Sequence, residues 1–384
     1  MARALYIHWP FCARKCPYCD FNSHVRASVD IAEWETALIT DMRHEATLCA
    51  DQSLKSIFFG GGTPSLMPPV LVEKLIMEAD RLWGLDENCE ITLEANPSSV
   101  EADNFQNLAM AGVNRVSLGI QALNDPALRF LGRLHSVDEA LEALATAHNS
   151  FDRVNFDLIY ARPGQSPEDW QAELSRALSY GTQHLSLYQL TIEQGTRFAS
   201  DYRMGKLRPL PDDNAADLFA VTREMTAKAG LPAYETSNFA RPGCESRHNM
   251  TYWRYQDYCG IGPGAHGRRN GIATTRHRKP ENYLEAVRAA GHGLQEERQL
   301  TAREMATEAL LMGLRLTEGV DLKDLHERFG LKAGELVIPR KLALYEELGF
   351  LEGSEQRVAV TAAGAPLLDA LLGELAAPES AGVT

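Results

Sequence analysis

The chain lacks any run of 18 or more consecutive apolar residues, so no segment reads as a membrane-spanning helix. Its first ten residues carry only a short apolar stretch before Pro10, too little for the apolar region of a signal peptide. A cationic surplus is missing too. Lys and Arg number 38 against 52 Asp and Glu, for a net charge of −14. That speaks against broad nucleic-acid binding, which needs a positive footprint for the phosphates. Cysteines number seven, an odd count that does not suggest a disulfide framework in a chain of this size. Repeats and low-complexity tracts do not stand out. What is present is 384 residues, 45% hydrophobic and 23% charged. This is the composition of a globular chain of two to three domains, expected in the cytoplasm.

Apolar, β-rich runs alternate with helical patterns over the first 240 residues. Strands are predicted at 4–8, 54–59, 90–95, 115–121, 154–160 and 184–190. Helices are predicted at 31–48, 70–83, 102–111, from Ser136, at 167–179 and at 212–229. Ser136 with Glu139, and Thr301 with Glu304, have capping-box spacing. At least six strand–helix units imply right-handed crossovers and a parallel sheet, either closed as a barrel or open and curved. In parallel barrels the active site lies at the C-terminal strand ends, where Gly60, Glu94, Gln121, Asp157 and Tyr188 fall. From residue 296 the pattern is three helices, a two-stranded wing over 350–360 and a last helix. This resembles a winged-helix module, with a fraying tail over 377–384.

Three cysteines fall within eight residues, in the run His8-Trp9-Pro10-Phe11-Cys12-Ala13-Arg14-Lys15-Cys16-Pro17-Tyr18-Cys19. The spacing C-x3-C-x2-C lets three thiolates converge on one metal centre. Structural zinc would want a fourth protein ligand, and His8 or His24 could supply it. A 4Fe–4S cluster held by three thiolates would leave one iron open to the amino and carboxylate groups of S-adenosylmethionine (SAM). Gly60-Gly61-Gly62-Thr63-Pro64 ends the second predicted strand, where glycine allows close backbone approach to a ligand; it would equally serve a tight turn. Glu94 could meet the ammonium or ribose of SAM, or merely cap a strand. Gln121, Arg133 and Asp157 are each ordinary polar strand-end or loop residues taken singly. Together they suit a cofactor site.

These segments carry a resemblance. The cysteine run, Gly60-Gly61-Gly62-Thr63-Pro64-Ser65, Ser117-Leu118-Gly119-Ile120-Gln121, Gly132-Arg133 and Asp157-Leu158-Ile159-Tyr160 with Pro163-Gly164-Gln165 resemble the radical-SAM family related to oxygen-independent coproporphyrinogen III dehydrogenase. Within it the chain looks most like the branch of HemW heme chaperones. The resemblance implies an α/β fold, a radical-SAM partial (β/α)6 barrel with a C-terminal winged-helix-like domain. The implied divisions are a core over 1–240, a basic aromatic connecting segment over 241–295 and the C-terminal domain over 296–376. It implies that Cys12, Cys16 and Cys19 bind a 4Fe–4S cluster, and that Tyr6, Tyr18, Gly61, Gly62, Thr63, Glu94, Gln121, Arg133 and Asp157 line a SAM site. The implied function is binding heme and passing it to acceptor proteins, the resemblance allows a homodimer, and contact with a membrane is expected to be peripheral at most. The alternative is coproporphyrinogen III dehydrogenation in porphyrin biosynthesis. Phe21 stands where the dehydrogenase has a fourth cysteine, and that enzyme's N-terminal extension has no counterpart before the first strand. His248-Asn249-Met250-Thr251-Tyr252-Trp253 matches the HNxxYW motif typical of HemW.

The segment from 241 to 290 holds nine Lys and Arg against four Asp and Glu, a local excess of cations in an acidic chain. Tyr252, Trp253, Tyr255 and Tyr258 accompany Arg247, Arg254, Arg268, Arg269, Arg276 and Arg278. Heme needs an apolar slot, cations for two propionates and an axial ligand, and the composition suits such a macrocycle. A packed loop with hydrogen-bonded His248 and Asn249 would have the same composition. His248 is the first candidate for a heme ligand, at a site expected to lie away from the cluster.

Overall fold

The computed structural model describes residues 3–49, 52–354 and 357–376; the tail expected over 377–384 lies outside them. The six predicted strands form: β1 (Ala4–Trp9), β2 (Leu54–Gly61), β3 (Leu85–Ala95), β4 (Arg115–Gln121), β5 (Arg153–Tyr160) and β6 (His184–Gln189). They pair in parallel in sequence order, the arrangement of a partial (β/α)6 barrel. The alternation of side chains along each strand sorts two faces. Leu5, Ile7, Ile57, Leu93, Val116 and Phe156 join one apolar core with Trp34, Leu38, Leu75, Leu144 and Trp170 from the crossover helices. Tyr6, His8, Glu94, Ser117, Asn155, Asp157 and Ser186 point the other way and line a cavity. Both predicted capping boxes form.

The sheet does not end with these strands. β7 (Asn238–Ala240) adds antiparallel to β6. On the opposite edge β8 (Tyr258–Ile261) lies parallel to β1, pairing Leu5 with Cys259 and Ile7 with Ile261. β9 (His266–Arg269), β10 (Ile272–Arg276) and β11 (Leu294–Gln299) continue antiparallel to give an 11-stranded sheet. The strands between residues 258 and 299 thus continue the core sheet. Gly260 sits inside β8, and glycine disguises a strand in the sequence pattern. This extension is pinned to the first helix, Ile31–Cys49. Arg276 bridges Asp41 and Glu45 at 2.8 and 2.7 Å, and Arg269 meets Glu45 at 2.6 Å, all buried.

The C-terminal module has its own core of Leu310, Leu322, Leu325, Leu336, Val358, Leu371 and Leu372, to which Tyr255 also belongs. The third of the three helices expected here is two elements, Ala333–Leu336 and Pro339–Glu347. Proline lacks an N–H and is tolerated only in the first helical turn. The wing has a third strand, Val320–Asp321, paired to Arg357–Val360, too short to show a period in sequence.

Candidate functional site

β1 runs directly into the cysteine loop. Phe11–Cys12 pairs with His24–Val25 and closes its base. The thiols of Cys12, Cys16 and Cys19 are part-exposed and border a cavity of about 280 Å³ at the C-terminal strand ends. Tyr18, Gly61, Gly62, Thr63, Glu94, Gln121, Arg133 and Asp157 line the same cavity. The glycines are required by close approach. A Cβ on Gly61 would lie 2.4 Å from the His8 ring, and one on Gly62 would lie 2.6 Å from the Phe11 carbonyl oxygen. Gln121 has φ 74° and follows a register shift between β4 and β5, an irregularity of the kind that re-aims a strand-end side chain.

Polar contacts reach the sulfurs. Thr63 Oγ1 lies 3.4 Å from Cys12 Sγ, and Arg133 Nη1 lies 3.5 Å from Cys16 Sγ. Arg133 is held by the Gly119 carbonyl at 2.7 Å and by Asn96 Oδ1 at 2.5 Å. Asn96 also donates to Thr63. Asn96, two positions after Glu94 and just past the end of β3, lines the same cavity and has no motif to mark it in the sequence. Burial pushes the Cys12 and Cys19 thiols up. Burial, then the Asp157 charge, pushes the Glu94 carboxyl up to about 7, against a bond from the Gly61 amide that favours the anion. Burial raises Asp157 as well.

The donor set suits a cluster better than a single zinc ion. A tetrahedral zinc brings thiolate sulfurs to about 3.8 Å of one another. Among the described residues, only Glu45, Cys49 and Cys259 place three ligand atoms within 4.8 Å of one another; the loop thiols are more widely set. His8 is already committed: Nε2 donates to the Asn22 carbonyl and Nδ1 accepts from the Tyr6 hydroxyl, both at 2.9 Å. His24 Nε2 meets Asn22 Oδ1 at 3.3 Å. The buried Nε of Arg133 has no protein partner, an open donor beside the thiols.

A second chamber of about 580 Å³ shares Phe21, Gly61, Glu94, Ser117 and Asp157 with the first. Tyr6, expected to line the SAM site with the others, lines this chamber and not the first. So does His248, from the helix Arg247–Trp253. Its ring stacks on Phe58 with centroids 4.9 Å apart and stands 6.2 Å from the Tyr6 ring. Nδ1 meets Ser56 Oγ at 3.1 Å, and burial lowers its pKa to about 4, leaving a neutral imidazole at pH 7. His248 and the cysteines, expected at sites apart, line two different cavities that share a wall. The arginines also differ from expectation. Arg269 and Arg276 serve buried ion pairs, Arg254 pairs with Glu318, and Arg247 donates to the Asn88 carbonyl. Arg268 lies over the Tyr255 ring at 3.4 Å. Of the six, only Arg278 lines the chamber.

A parallel barrel whose first strand delivers three thiols to its C-terminal mouth defines a radical-SAM protein. Residues 6–177 match the Radical SAM superfamily, and residues 300–367 match the HemN C-terminal domain. The heme chaperone HemW of Escherichia coli is 39% identical over 82% of this chain and 83% of its own. That of Bacillus subtilis is 33% identical over 97% and 100%. A mitochondrial radical S-adenosyl methionine domain-containing protein 1 of Mus musculus is 41% identical over 83% and 74%. The chain belongs to the HemW heme chaperone family. The structure of Escherichia coli HemN, a coproporphyrinogen III oxidase, superposes with a TM-score of 0.82 over 96% of this chain and 89% of that one. At 22% identity this likeness speaks for the fold alone. No helix among the described residues is long and apolar enough to cross a membrane.

Proposed function

We propose that this chain is a cytoplasmic heme chaperone that binds heme in the larger chamber and passes it to acceptor proteins. The observation that carries the reading is the aromatic chamber walled by Phe58, Tyr252, Trp253 and Tyr258, with the neutral His248 on its side. A neutral imidazole offers a lone pair to iron, and Arg278 offers a cation for a propionate. Cys12, Cys16 and Cys19 would hold a 4Fe–4S cluster, with Glu94, Gln121, Arg133 and Asp157 facing SAM. When bound, that pair supplies one-electron chemistry, the part of the work that belongs to the cofactor. The residues' own contribution is to seat it. The glycines allow close backbone approach, Arg133 sets a cation beside Cys16, and the buried carboxylates would meet the ammonium or ribose. Phe21, standing where the dehydrogenase has its fourth cysteine, is 61% exposed at the wall shared by both cavities.

The test incubates reconstituted protein separately with heme and with coproporphyrinogen III, SAM and a reductant. Retention of heme without protoporphyrinogen formation is expected. His248→Ala should weaken heme binding or shift the Soret band. Robust turnover of coproporphyrinogen would overturn the chaperone reading, and unchanged heme affinity and spectrum in His248→Ala would reduce His248 to a packing residue.

A further inference from the structure

Asn155 and Asp157 share one face of β5. The register sets Asn155 opposite His184 and Asp157 opposite Ser186 on β6, with Ser117 of β4 on the other side of Asn155. Asn155 and His184 are 1% and 3% exposed, so their polar atoms must be satisfied inside the barrel. The amide nitrogen of Asn155 lies 2.9 Å from Asp157 Oδ1 and 2.6 Å from Ser117 Oγ, which itself donates to Asp157 Oδ1 at 3.2 Å. That leaves Asn155 Oδ1 as acceptor, and it meets His184 Nδ1 at 2.7 Å. Nδ1 must then carry the proton. Burial, with Arg115 and Arg153 nearby, holds this imidazole neutral. Its Nε2 is therefore an acceptor, and the Tyr234 hydroxyl lies 3.0 Å away to donate to it. The Tyr234 oxygen in turn accepts from Asn249 Nδ2 at 3.4 Å. Each link fixes the direction of the next, and reversing one would set two donors or two acceptors face to face.

We propose that His184 and Asn155 are positioning residues for Asp157. In this scheme a one-directional hydrogen-bond chain from Asn249 through Tyr234 and His184 sets the carboxylate that faces the cofactor cavity. The chain also gives Asn249, beside the chamber histidine, a physical line to the far side of the wall that the two cavities share. The proposal rests on the reading that this cavity holds SAM.

The experiment titrates SAM into the full-length, anaerobically reconstituted protein and follows the EPR signal of the reduced cluster. His184→Leu removes both links and should weaken SAM binding about tenfold, the cost of leaving buried partners unsatisfied. His184→Gln donates to Asn155 and accepts from Tyr234, so it should recover affinity to within about threefold. Asn249→Ala should weaken SAM binding in the wild-type background and add nothing in Tyr234→Phe, because the line is already cut. Equal losses in His184→Leu and His184→Gln, no loss in either, or additive effects of Asn249→Ala and Tyr234→Phe would overturn the proposal. Should His184→Leu fail to fold, the Asn249–Tyr234 cycle decides alone: coupled effects support the chain, while additive or absent effects sink it. A wild-type cluster indifferent to SAM would overturn the cofactor reading itself and the relay with it, before any variant is made. Heme retention is read separately and bears only on the chaperone.

Discussion

The cysteine loop and the basic aromatic segment both stand out in the sequence, and the fold treats them in opposite ways. In the loop, the thiols of Cys12 and Cys16 meet one neutral hydroxyl and one guanidinium at 3.4 and 3.5 Å, and all three cysteines border a cavity. Their capacity to ligate is left over. In the segment, five of the six arginines are engaged by carboxylates, carbonyls or an aromatic face, and one reaches the chamber. Charge counted along the chain therefore overstated the second site. What marks a site is bonding capacity that the fold does not consume.

The contrast is sharpest if the loop is broken. Replacing Cys12, Cys16 or Cys19 by Ala should abolish the 4Fe–4S cluster, seen as loss of its absorption and EPR signals. A protein that purified anaerobically with stoichiometric zinc and refused iron and sulfide would reverse the comparison. The segment should fail differently. Arg276→Met leaves Asp41 and Glu45 buried with less compensation, and should cost about 3–5 kcal/mol in denaturant unfolding while the cluster still assembles. Next comes Glu94. Its folded pKa, about 7, lies above its ordinary 4.5, so the folded state holds a proton that the unfolded chain has released. This contribution to stability is present below pH 4.5 and is lost as pH rises through 7. Glu94→Gln should therefore stabilise the apoprotein at pH 8 by about 1–3 kcal/mol, since the cavity admits some water, with no difference near pH 4. The same variant should weaken SAM binding at pH 8. The smallest effect is expected from Arg278→Ala, a drop of about threefold in heme affinity with an unchanged Soret position, as for loss of one part-exposed ion pair. A larger loss from Arg254→Ala, whose guanidinium pairs with Glu318, would show that the segment's charge matters to heme after all.

Much of this was legible in the sequence because it depends on local pattern. The six parallel strands follow from apolar runs between helices, and Gly61, Thr63, Gln121 and Asp157 come together in one cavity because strand ends can be counted along the chain. Asn96 needed only one more step along the same strand end. The interior polar set was harder. Asn155-Phe156-Asp157 and His184-Leu185-Ser186 show the alternation, but only register, which sequence does not print, sets Asn155 against His184. β8 was missed because Gly260 and the neighbouring Gly262 read as loop. The nearness of His248 to Tyr6 is set by tertiary packing, because the helix that carries His248 lies on Ser56 and Phe58 of β2, the strand next to β1.

That pairing has a consequence for synthesis. β1 leaves the ribosome about 250 residues ahead of its β8 partner, and contacts so distant along the chain are slow to form. Until then the edge beside the nascent cysteine loop has open backbone groups, the kind of edge that recruits foreign strands. A fragment stopped at residue 240, where composition suggests a natural cut, would keep that edge for good. It should aggregate rather than fold, and metal loading should belong to the finished polypeptide.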